Sequence, residues 1–162
     1  MINEHSVYSD QVTINAPVSL VWQILIDFDN YQRWNPFCPQ LINKSLAIGE
    51  AVDMQVELGH GLQQQVEYIE NIEKEREISW SMTQQDKSVL YARRTQSLSA
   101  ITSNSCDYLS VDYFEGALRD SILRQHGQAI EDGFNACAYG LKDYAEAAYR
   151  HSLHAELEGQ AE

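Results

Sequence analysis

Basic residues are scarce in this chain. Only 11 Lys and Arg stand against 24 Asp and Glu, a formal net charge of −13 over 162 residues. Such a surface repels nucleic-acid phosphates and anionic headgroups, and the densest basic cluster is the single pair Arg93-Arg94. Nucleic-acid binding is not expected. Cysteine is sparse too: Cys38, Cys106 and Cys137 are an odd, widely spaced set with no CxxC. That argues against a disulfide framework and fits reduced thiols in a cytoplasmic protein. No apolar run approaches the ~18 residues that would span a bilayer, so an integral membrane protein is not expected. Met1 to Asp10 is polar and acidic, and no signal peptide is expected. The histidines are scattered, and only His151 and His154 share a helical spacing, in a polar segment with no third ligand. Neither a metal site nor a cofactor is expected, and no Gly-rich phosphate loop or nucleophile elbow occurs.

What is present reads as one globular domain. The hydrophobic content of 44% is enough for a sizeable core, and a chain of this length buries roughly two-thirds of its unfolded surface. The expected domain covers residues 1–150, followed by a polar tail, 151–162. Val7 to Ile14 alternates as a strand, with Tyr8, Asp10, Val12 and Ile14 on one face. Asn15-Ala16-Pro17 ends it, and Pro17 suits a first helical position. Val18, Val21, Trp22 and Leu25 follow at helical spacing, then Asp27 to Arg33 as a turn and second short helix, ended by Pro36 and Pro39.

From about Leu41 to Glu115 the pattern is strands. Val52, Met54, Val56 and Leu58 alternate with Asp53, Gln55 and Glu57, and Gly59-His60-Gly61 marks a hairpin turn. In the return strand, Leu62 to Ile72, Val66 and Tyr68 are out of phase with Gln65, Glu67 and Ile69; a bulge near Ile69 would reconcile them. Further strands follow at Ile78-Trp80-Met82, Val89 to Ile101 and Cys106 to Phe114. A long helix then runs from Leu118 to about Tyr149, with Ile122, Ile130, Phe134, Ala138, Leu141, Ala145 and Ala148 at helical spacing. Gly127, Gly133 and Gly140 inside it each cost about 1 kcal/mol relative to Ala, so a kink or a close backbone approach is expected there. The fold class is α+β: a helix-grip arrangement in which a curved antiparallel sheet of about six or seven strands wraps the long C-terminal helix. Such a sheet cannot close on one helix along its whole length, and the concave space left is the usual setting for a small-molecule site.

Several segments resemble the START-like (SRPBCC) superfamily, in its polyketide cyclase/dehydrase-like branch. They are Ile14-Asn15-Ala16-Pro17, Val21-Trp22, Asp27-Phe28-Asp29-Asn30-Tyr31 and Trp34-Asn35-Pro36-Phe37, then Ile78 and Trp80, Gly116 after Phe114, Gly133-Phe134 and Leu141-Lys142. The resemblance spans nearly the whole chain in element order, with its sharp motifs at about 14–37 and 126–145. It implies an internal cavity used by some members for lipids, sterols, hormones or polyketides, by others for cyclisation or dehydration, and co-chaperone roles in yet others. The chain departs from the common pattern. Ser110 and Asp112 stand where many relatives carry an inward His and Glu, and Arg94 and Gln96 where they carry a His and an aromatic.

The expected cavity lining is Met54, Val56, Trp80, Arg94, Gln96, Tyr108, Ser110, Asp112, Ile130 and Phe134. Arg94 and Asp112 are close enough in phase to pair, and Arg94 suits a carboxylate or enolate oxygen; a purely internal ion pair, or residues turned to solvent, are the alternatives. Aldol cyclisation and dehydration need a proton acceptor and a donor for the developing oxyanion. Asp112 is the candidate acceptor, Tyr108 or Arg94 the candidate donor, although no catalytic motif frames them. Three functions remain open: binding of a small hydrophobic or amphipathic molecule, a cyclase or dehydratase, and a protein-interaction module. The missing motif favours the first. Nothing in the sequence assigns an oligomeric state.

Overall fold

The computed structural model describes residues 1–82 and 86–159. Eight strands form one antiparallel sheet: β1 (Ser6–Tyr8), β2 (Val12–Ile14), β3 (Gln40–Asn43), β4 (Ala51–Glu57), β5 (Leu62–Glu73), β6 (Glu77–Ser81), β7 (Tyr91–Thr102) and β8 (Ser105–Glu115). They lie in the order β1-β8-β7-β6-β5-β4-β3, with β2 also on β8. Two helices complete the fold, α1 (Val18–Ile26) and α2 (Arg119–Gly159), with a 3-10 helix at Phe28–Arg33 between α1 and β3.

The single N-terminal strand expected from the sequence is two. Tyr8 pairs with Val111 and Val12 with Tyr108, so four steps on one side match three on the other. The extra residue flips the phase, burying Val7 and Ser9 before the break and Val12 and Ile14 after it. Tyr8 and Asp10 are therefore not on the face of Val12. Because β1 and β2 share one neighbour, the sheet is still seven strands wide. The bulge expected near Ile69 is present: the β5–β6 register shifts between Ile69 and Asn71. The β4–β5 hairpin closes through Gly59 and Gly61, both at positive φ (86° and 95°). Glu57 Oε1 accepts hydrogen bonds from both of their N–H groups, at 2.8 and 3.0 Å.

Helix α2 covers the concave face through Ile130, Phe134, Cys137, Ala138, Leu141 and Ala145, all buried. It is continuous through its glycines, and the expected close approach is what they provide. A Cβ on Gly133 would sit 2.0 Å from Phe37 Cδ2, and one on Gly140 2.0 Å from the Trp34 carbonyl oxygen. The Trp34-Asn35-Pro36-Phe37 loop thus runs directly against the helix. The helix continues past His151, where the polar tail was expected to begin; residues 151–155 are exposed, and 160–162 of that tail lie outside the described residues.

Candidate functional site

The inward rungs of the sheet bring one row of side chains under α2. Ile69 pairs with Trp80, Trp80 with Arg94, and Arg94 with Asp112, so these four face the same way on β5, β6, β7 and β8. Helix α2 sets Ile122, His126, Ile130 and Phe134 opposite them at four-residue spacing. Between sheet and helix is a cavity of about 220 Å³. Of the ten residues expected to line it, Met54, Val56, Trp80, Arg94, Asp112, Ile130 and Phe134 do.

Gln96, Tyr108 and Ser110 share that sheet face but sit outside the cavity lining, fully buried. They are occupied with one another and with Arg94. Arg94 Nε donates to Ser110 Oγ at 3.1 Å, and its Nη2 donates to Gln96 Oε1 and Cys137 Sγ, each at 3.5 Å. Tyr108 donates its hydroxyl to Gln96 Oε1 at 2.7 Å. The reason for their absence from the lining is thus their packing beneath the guanidinium. Tyr108 and Asp112 lie four residues apart on β8 and only Asp112 lines the cavity, so the candidate couple of Asp112 as acceptor and Tyr108 as donor is not formed there.

The Arg94–Asp112 ion pair that the strand phase allows is also not formed, although the two residues are direct cross-strand partners. Among the described residues no carboxylate lies within 4.0 Å of the Arg94 guanidinium. It is instead enclosed by ring faces: Phe134 at 4.3 Å, Phe37 at 5.3 Å and Trp80 at 5.9 Å from its central carbon. Phe37 meets Phe134 edge-on at 5.3 Å. A guanidinium is weakly hydrated and planar, which suits such a cage.

Sequence reasoning missed Glu67. It projects from β5 into the cavity beside Gln63 and Gln65, making that wall polar while the walls from β4, β6 and α2 are mainly apolar. Burial pushes the Glu67 carboxyl well above the usual range, repulsion from Asp112 adds to this, and Arg94 opposes it. Burial likewise raises Asp112, to about 7, with Arg94 holding it down. Glu67 Oε2 and His126 Nδ1 are buried without a hydrogen-bond partner. The signal for Glu67 was its shared phase with Ile69; for His126, its place in the row of Ile122 and Ile130. Among the described residues no group of three or more His, Cys, Asp or Glu is arranged to hold a metal, and no helix is long and apolar enough to cross a membrane.

A curved antiparallel sheet gripping one long helix over a partly polar cavity defines a helix-grip domain. Residues 14–135 match the family described as polyketide cyclase / dehydrase and lipid transport, and the chain belongs to that family. Among solved structures it is similar to the Zhui aromatase/cyclase from Streptomyces sp. R1128, with 17% identity, a TM-score of 0.68, and 87% of this chain and 93% of that one covered. It is also similar to a START superfamily protein from Mycobacterium smegmatis, with 15% identity, a TM-score of 0.69, and 89% and 99% covered. Identities this low carry the fold alone. No curated protein sequence matches the chain.

Proposed function

We propose that the protein binds a small amphipathic molecule in the cavity between the sheet and α2. The observation that carries this reading is the division of the cavity wall. Apolar and aromatic side chains from β4, β6 and α2 face Gln63, Gln65 and Glu67, with Asp112 and Arg94 on adjoining strands. Apolar walls with a few convergent polar groups are the usual composition of a ligand site. The size argues for a compact ligand: an engineered apolar cavity of about 150 Å³ takes benzene, so 220 Å³ suits one or two rings better than a long acyl chain.

Native mass spectrometry of protein purified without detergent tests this, with extraction of whatever co-purifies. Ile122→Trp, which places a ring in the cavity wall, should abolish ligand retention while leaving the folded state intact. Retention unchanged by the plug would overturn the reading.

A second reading, an enzyme of the cyclase or dehydratase type, is supported by Asp112. A carboxyl at about 7 facing a cavity suits proton transfer near neutrality. Turnover of a reactive poly-β-carbonyl compound, lost in Asp112→Asn, would support it. The protein-interaction reading has less behind it. The exposed Ile42 and Val66 flank Asp53 across β3, β4 and β5, so the apolar surface is interrupted.

A further inference from the structure

Two carboxyl groups, those of Glu67 and Asp112, line the cavity beside the carboxamides of Gln63 and Gln65. Neither carboxyl that lines it accepts a hydrogen bond from any described residue, and Glu67 Oε2 is sealed from solvent with no partner. Buried carboxyl groups are rarely left in that state, because an unmet acceptor costs its desolvation in full. The one guanidinium present does not relieve them. Arg94 spends Nε and Nη2 on Ser110, Gln96 and Cys137, and its faces on three aromatic rings. Its charge offsets one carboxylate at a distance, and the second is left over.

We infer that the ligand of this cavity is an organic ammonium: an amine on a compact apolar or aromatic body, with its charged nitrogen between Glu67 and Asp112. The inference rests on the small-molecule reading above and names the chemical class. An ammonium supplies up to three donors and no acceptor, and the site offers two carboxyls left without a donor among the described residues. With both carboxyls ionised, Arg94 and a bound monocation bring the lining to neutrality. A metal cation is a poor alternative, since no cluster of three or more ligating side chains exists among the described residues. The apolar walls need a hydrocarbon body, which an inorganic cation lacks. The net charge of −13 would raise the local concentration of cations around the molecule.

Burial holds both carboxyls high while no cation neutralises them, with Arg94 the only countercharge. A bound ammonium favours their ionised forms, so it should expel protons and bind more tightly as pH rises through about 7, the value for Asp112. The charged and ionisable side chains lining this cavity are Glu67 from β5, Asp112 from β8, Arg94 from β7 and His126 from α2.

The test is calorimetry with three matched probes: phenethylamine, 2-phenylethanol and 3-phenylpropanoate. Near neutral pH the amine should bind about tenfold or more tighter than either partner, a difference of about 1.4 kcal/mol. Its binding should release protons to the buffer. Glu67→Gln and Asp112→Asn should each reduce amine affinity by about tenfold and leave the alcohol unchanged, with thermal melts confirming that both variants fold. Equal or tighter binding of the alcohol or the propanoate would overturn the inference. If all three probes fail while an apolar dye still enters the wild type and is excluded by Ile122→Trp, the ammonium is wrong and the cavity reading stands. If the dye fails as well, both fall.

Discussion

Arg94 and Asp112 face each other across β7 and β8 and do not bond. The guanidinium turns to the rings of Phe134, Phe37 and Trp80 and to Ser110 on the neighbouring strand. The carboxyl is left to the cavity. Their separation is what allows an acid of pKa about 7 to persist beside an arginine.

Stability should therefore fall as pH rises through that value. Asp112 binds its proton more tightly folded than unfolded, so its contribution is complete below about pH 4 and is lost by the time pH passes about 7. Asp112→Asn should flatten the curve and, above that value, stabilise the protein by on the order of 2 kcal/mol. Urea unfolding at a series of pH values measures both. A variant curve with the wild-type slope would contradict the assignment.

Removing the guanidinium without its volume should move Asp112 further. Arg94 is the only charge that lowers this carboxyl. In Arg94→Met the carboxyl should titrate above about 7, read from the side-chain carbonyl carbon by NMR. The same substitution strips Gln96 and Ser110 of their partner, so some loss of stability should accompany it, about 1–3 kcal/mol for buried polar groups left unmet.

The glycines of α2 should rank by what a methyl group would strike. Gly127→Ala meets only the tip of Ile2, at 3.3 Å, and should be neutral or gain from helix propensity, up to about 1 kcal/mol. Gly133→Ala meets the buried Phe37 ring, a side chain rather than backbone, and should cost about 1–3 kcal/mol as overpacking. Gly140→Ala meets a backbone carbonyl and should cost most. In thermal melts, Phe37→Leu should partly rescue Gly133→Ala and do nothing for Gly140→Ala.

All three thiols should be slow to react in the native state. Cys38, Cys106 and Cys137 are buried, and burial pushes Cys38 up to about 12 and Cys106 to about 11. Reaction with a disulfide reagent near neutral pH should track unfolding and accelerate in denaturant.

The fold was legible in the sequence wherever burial follows a simple period. Val52, Met54 and Val56 alternate without interruption, and Ile130, Phe134, Ala138, Leu141 and Ala145 keep helical spacing; both elements are where the pattern puts them. Legibility failed where a single inserted residue reverses a strand's phase. Val7 to Ile14 reads as one strand because the break falls at Ser9-Asp10-Gln11, a polar stretch too short to stand out as a turn between two three-residue strands. The site was harder for a related reason. Glu67 lies on the inward face of β5, and a carboxylate among glutamines reads as solvated unless the phase is known from the bulge beyond it. Gln96, Tyr108 and Ser110 have the correct phase for the cavity but the wrong depth, and strand alternation carries no information about depth.

The β1 and β2 strands meet β8 across about a hundred residues of chain, and α2 rests on those strands and on α1. The β7–β8 hairpin, by contrast, pairs Tyr91 with Glu115 through a local turn. Distant pairings come late in folding because loop closure precedes their reward. The chamber under α2 should thus be among the last parts of the molecule to take shape, so that an occupant would contact a surface not yet formed in the transition state. Such a ligand should lengthen the lifetime of the native protein by slowing its unfolding, while leaving the rate of folding almost untouched.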